Sequence, residues 1–193
     1  MKTHFIIIGF LVPAIAALSG CQTTGSQTTG SQAYDSSAAA QIDRDVDVAL
    51  TNLYDSVPKA KELEEHATGV LVFPRMVKAA FIGGAQYGKG ALRQGGATVG
   101  YYNSLAASYG LQAGVQSFGY AMFFMNEDAL SYLDRSGGWE VGVGPSIVVL
   151  DHGKARALTT TTMKDDIYAF IFSQKGLMAG LGLQGTKITR INP

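Results

Sequence analysis

Apolar and polar positions alternate differently in the two halves of the folded chain. Ile42, Val46, Ala49, Leu50, Leu53 and Val57 recur at three- and four-residue intervals, with Asp43, Arg44, Asp45, Asp47 and Asn52 between them. That spacing predicts an amphipathic helix. Pro58 breaks it, and a second short helix carrying Lys59 to Glu65 starts at Ser56 or Val57. After Thr68 the period shortens to that of strands punctuated by glycine: GVLVFP, AAFIGGAQYG, ATVGYYN, SYGLQAGVQSFGYAMFFM, WEVGVGPSIVVL, IYAFIFS and GLMAGLGLQGTKITRI. One helix interrupts them, with Asn126 as its cap, Glu127 and Asp128 at its positive end, and Ala129, Leu130 and Leu133 on its buried side.

Glycine inside a strand weakens it unless a bend, bulge or close backbone contact requires it. The many glycines among these strands therefore predict strong curvature. The expected fold is α+β: a strongly curved, mostly antiparallel, glycine-rich sheet or half-barrel, with an N-terminal amphipathic helix and one or two further short helices. At 193 residues and 47% hydrophobic content, the chain has apolar material for one packed domain. Fifteen basic and fifteen acidic residues cancel, so no net field draws it to nucleic acid.

The N-terminus follows different rules. Lys2 and His4 precede an apolar run from Phe5 to Leu18, short of the roughly twenty residues that cross a bilayer as a helix. A basic start, a short apolar region and small residues are the anatomy of a secretory signal. Its end, Leu18-Ser19-Gly20-Cys21, resembles the lipobox of bacterial lipoproteins. That resemblance implies cleavage before Cys21 and lipidation of its sulfur, with several acyl chains giving stable anchoring. Cys21 is the single cysteine, so no disulfide framework exists. Gln22 follows it, which for such lipoproteins implies transfer to the bacterial outer membrane. From Gln22 to Ser37 the chain reads QTTGSQTTGSQAYDSS, too polar to order itself. The expected organisation is a signal peptide at 1–20, a lipidated cysteine and tether at 21–37, and one folded domain at 38–193.

Candidate chemistry is sparse. Gly83 to Gly90, GGAQYGKG, matches a phosphate-binding loop except at its last position, where glycine replaces the hydroxyl residue that ligates Mg²⁺. No helix pattern follows it. The alternative is a strand, a tight turn around Gly88-Lys89-Gly90 and a second strand, leaving Lys89 and Arg93 exposed. Beyond the signal, His66 and His152 have no second ligand at metal spacing. Asp151-His152-Gly153-Lys154 reads as a hairpin turn, Asp165-Asp166 as a solvated loop, and Gly144-Pro145-Ser146 lacks the second glycine of a nucleophile elbow. No catalytic residue, metal site or cofactor is expected.

Four segments together resemble the SYLF domain, found in bacterial lipoproteins and in eukaryotic proteins that bind phosphoinositides or actin. They are Gly69 to Pro74; Gly83-Gly84 with Tyr87 to Gly90; Tyr109 to Ser117; and Lys175 to Gly180 leading to Leu183 to Ile188. The resemblance runs from about Val57 to Ile191 and implies a non-catalytic lipid-binding module. Its partners would be the membrane, reached through the acyl chains, and phospholipid or phosphoinositide-like headgroups. The candidate headgroup cations are Arg75, Lys78, Lys89, Arg93, Lys154 and Arg156, all near expected loop ends. The alternative is an envelope scaffold, actin-binding-like or meeting a host protein, that uses its acyl anchor only for attachment. A third possibility, a hydrolase built on His152, predicts turnover lost in His152→Ala.

Overall fold

A computed structural model describes residues 29–135, 137–150, 164–176 and 185–193. The signal segment, Cys21, the Asp151 turn, Lys154 and Arg156 lie outside the described residues, as does the KGLMAG segment beyond Gly176.

The helical expectations hold. Helix α1 spans Thr29–Ser56 and α2 spans Pro58–Glu64, with proline opening α2 where its missing N–H costs nothing. Ile42, Val46, Ala49, Leu53 and Val57 are buried, and Leu50 packs against them. α1 begins before Ala38, inside the stretch read as tether. Helix α3, Glu127–Leu130, is capped by Asn126, whose side-chain oxygen accepts the Ala129 N–H at 2.8 Å.

The sheet departs from its expected divisions. The first two strand-like runs fuse into β1, Gly69–Gln94, and the next two into β2, Ala97–Phe124. The two pair antiparallel from Gly69 opposite Phe124 to Gln94 opposite Ala97. Three shorter elements follow the same two strands: β3, Trp139–Glu140, β4, Ile147–Leu150, and β5, Ile167–Gly176. The last is β6, Thr186–Ile191. The free edge of β2 carries β6 along Tyr101 to Ala106 and β5 along Gln116 to Phe124. β3 pairs antiparallel outside β6, and β4 runs parallel outside β5, the single parallel pairing among the described strands. The expected α+β architecture with a curved, mostly antiparallel half-barrel is therefore observed.

Curvature follows from length. A straight strand of 26 residues would span about 85 Å at ordinary strand rise, against a radius of gyration of about 16 Å for a domain of this size. The hairpin instead bends at its middle and lies over itself. A Cβ built on Gly90 would sit 2.1 Å from the Val72 carbonyl oxygen, so the two halves of β1 touch backbone to backbone there. The GGAQYGKG run is thus continuous strand, paired from Gly83 opposite Tyr109 to Gly90 opposite Tyr102. The tight turn expected at Gly88-Lys89-Gly90 lies instead at Gly95-Gly96, whose φ values of 55° and 82° suit a two-residue hairpin turn.

The two faces of the curl form two cores. Val70, Val72, Ala121, Phe123, Tyr168 and Phe170 point outward under α1 and α2. Their neighbours Leu71, Phe73, Tyr120, Met122, Phe124 and Ile167 point inward, with Trp139 and Ile188, and fill the half-barrel. Strand alternation alone sorts them.

Candidate functional site

β2 is distorted from both sides at one place. Between Phe73 and Met76 the β1 register slips, so Pro74 and Arg75 oppose Gly119 alone. On the other edge β5 slips between Phe172 and Lys175, so Ser173 and Gln174 oppose Phe118. Bulges bend a sheet and re-aim side chains, and proline tolerates a bulge because it has no donor to pair. Ser173 pays for its bulge with a φ of 52°, the single non-glycine residue with positive φ among the described residues. Such a conformation costs on the order of 1–2 kcal/mol.

The two bulges open the sheet beside α1. Here lies a groove of about 930 Å³, walled on one side by the Asp45, Val48 and Asn52 strip of the helix. Arg75 and Val77 of β1 face that strip, with Val115 and Ser117 of β2 and Ser173 and Lys175 of β5. Val48 and Val115 are each 62% exposed and Val77 is 42% exposed, in a domain that buries most of its aliphatic side chains. Arg75 and Lys175 are exposed at its rim. Exposed valines with two cations, Arg75 and Lys175, against the one carboxylate of Asp45 suit an amphiphile with an anionic head. A second, smaller groove continues past Ser56, Phe172 and Ser173 to Leu150 and Phe170.

Of the six cations singled out in the sequence, the four among the described residues do not converge. Of these four, Arg75 alone reaches the groove. Lys78 is 2% exposed, on the inward face with Met76, and already has a partner. Lys89 is exposed on the far half of the hairpin, opposite Asn103. Arg93 corrects the expectation of exposure: its side chain is 13% exposed and ion-paired at 2.6 Å with Asp47. The same guanidinium donates to the Asp43 carbonyl at 3.2 Å. Lys154 and Arg156 lie outside the described residues. Lys175, which the sequence presents only within the KGLMAG motif, lines the groove with Arg75, next to the register shift in β5.

The acids of α1 have a role that the sequence did not reveal. Asp43, placed on the polar face by periodicity, accepts hydrogen bonds from Thr98 Oγ1 at 2.7 Å and Tyr101 Oη at 2.9 Å. Burial, then the bond to Asp43, raise the Tyr101 phenol above its ordinary pKa. Asp43, Asp47 and Arg93 together latch α1 onto the hairpin end, fixing the helical wall of the groove. Asp166, read as solvated loop, accepts from Asn126 Nδ2 at 2.9 Å and from Ser146 N and Oγ at 2.9 and 3.0 Å. The Ser146 backbone bond, then the side-chain bonds from Asn126 and Ser146, hold its carboxyl below the usual aspartate range. Ser146 is thereby a bracket between loops.

Among the described residues no group of His, Cys, Asp and Glu has metal-binding geometry, and no helix is long and apolar enough to cross a membrane. Comparison with curated proteins finds no match. Residues 105–192 match the family model of Ysc84, described as Las17-binding protein actin regulator. That stretch runs from mid-β2 to just past β6 and includes the β2 and β5 side of the groove. The match to the Ysc84 (SYLF) family runs from Leu105 to Asn192, in agreement with the resemblance carried by the sequence motifs.

Proposed function

We propose that this protein is a non-catalytic, lipid-anchored envelope protein of the bacterial outer membrane, attached through Cys21, whose folded domain binds phospholipid. The observation that carries the lipid reading is the groove: three exposed valines line it together with Arg75 and Lys175, beside paired bulges around Phe118-Gly119. The cations take the phosphate of a headgroup and the valines take the first methylenes of its chains. The match to the Ysc84 (SYLF) family supports a lipid- or actin-binding-like module in general terms.

Co-sedimentation of the chain from Gln22 to Pro193 with anionic and zwitterionic vesicles, at low and high salt, tests this. Anionic vesicles should carry the protein down in a salt-sensitive manner. Arg75→Ala/Lys175→Ala should weaken binding by roughly fivefold per cation. Equal binding by the groove variant and the parent would remove the groove from the proposal. The family description favours a second reading, an envelope scaffold whose acyl chains serve attachment alone. Absence of binding to either vesicle is its signature.

A further inference from the structure

The acids and bases that cancel over the whole chain are segregated in the fold. From Gly69 to Phe124 the long hairpin contains no Asp or Glu, whereas Arg75, Lys78, Lys89 and Arg93 all lie on β1. Lys78 is turned inward and Arg93 is tied to α1. Lys89 remains exposed on the outer face, beyond the part that α1 covers.

Its surroundings on that face are apolar. Two residues before it, Tyr87 stands directly opposite Leu105 across the β1–β2 ladder, and the two are 44% and 55% exposed. The next outward pair, Ala85 and Ala107, is also exposed. On the other side of Leu105 stands exposed Lys187 of β6. The one carboxylate on this path, Glu140, lies outermost, opposite Lys187 on β3. An aromatic and an aliphatic side chain thus form an uncovered centre with a lysine on each flank.

We propose that this outer face is the surface by which the domain lies on an anionic bilayer, with Tyr87 and Leu105 in the headgroup region and Lys89 and Lys187 paired with lipid phosphates. Tyrosine suits that depth because its ring is apolar and its hydroxyl is wet, and lysine stems reach along apolar surface to keep the ammonium among phosphates. The choice of a bilayer over a protein partner rests on charge: the hairpin carries no carboxylate, and on this path two exposed lysines stand against the single Glu140 at its outermost edge. The assignment rests on the lipid-binding reading above but names a surface separate from the groove.

The test uses the full chain with Tyr87→Trp. The native Trp139 is buried at 1% exposure and supplies a baseline from the unsubstituted protein. The variant is mixed with phosphatidylglycerol-containing vesicles whose acyl chains are brominated near the headgroup. Expected is a blue shift and quenching of the added emission, diminished at high salt. Adding Lys89→Ala/Lys187→Ala should lower the partition constant by roughly fivefold per lysine. Vesicle-bound protein in which the introduced indole is neither shifted nor quenched would overturn the assignment. So would a concentration-dependent blue shift without vesicles, which marks a second copy as the occupant. Binding that is lost in Arg75→Ala/Lys175→Ala and unchanged in Lys89→Ala/Lys187→Ala would keep the groove and remove this face. Circular dichroism matching the parent establishes that each variant is folded.

Discussion

At the scale of single residues, two glycines of the same eight-residue run separate the strand from the phosphate-loop interpretation. A methyl group on Gly90 would meet the Val72 carbonyl at 2.1 Å, whereas on Gly83 its nearest neighbour is 3.9 Å away. Backbone cannot swing aside as a side chain can, so Gly90→Ala is expected to destabilise by about 3 kcal/mol or more, at or above the usual overpacking range. Gly83→Ala should stay within about 0.5 kcal/mol. Thermal melts of both variants check this. Comparable losses at the two positions would mean that the halves of the hairpin are not in contact. The motif match was legible in the sequence, but its meaning was not: the partner of Gly90 is Val72, brought near only by the bend.

Among the elements, α1 shows how periodicity can be right about the buried stripe and incomplete about the rest. Apolar spacing identified Ile42, Val46, Ala49 and Leu53 because a helix has one geometry and the hydrophobic effect is non-directional. Asp43 and Asp47 fell on the polar side, and nothing local distinguishes an aspartate facing water from one facing Arg93 and Tyr101. Removing the guanidinium in Arg93→Ala should cost about 1.5–3 kcal/mol, since it loses a charge-assisted bond to Asp47 and one to the Asp43 carbonyl. Asp47→Ala should cost less, about 1 kcal/mol at most, because that carboxylate is 68% exposed. Urea midpoints of the two variants decide. If Arg93→Ala costs no more than Lys89→Ala, the helix docks through its apolar stripe alone.

For the whole molecule, Asp166 joins segments far apart in sequence, and its stabilisation depends on pH. Its folded pKa lies below the unfolded value. Its contribution is therefore complete above the ordinary aspartate pKa of about 3.9 and is lost as pH falls through the depressed folded value. Asp166→Asn should lower the melting temperature at neutral pH, by an amount equivalent to about 1–2 kcal/mol. The difference should close as both proteins are acidified below that range. A gap that persists at the acid end would assign the effect to packing rather than to the carboxylate. By itself, the sequence determined what depends on short-range spacing: the buried stripe of α1, the Pro58 break, the Asn126 cap and a glycine-rich curved sheet. It also carried the SYLF resemblance, because that motif set is read along the chain. Tertiary structure alone decided which of the equivalent-looking cations line the groove, which is buried and which is tied to α1. Arg75, Lys78, Lys89 and Arg93 share one strand, and they part company through the bulge at Pro74-Arg75, the inward or outward sense of the pleat and the fold of the hairpin over itself. Each of these is set by contacts between residues distant in the chain, and a single register slip exchanges the buried face for the exposed one.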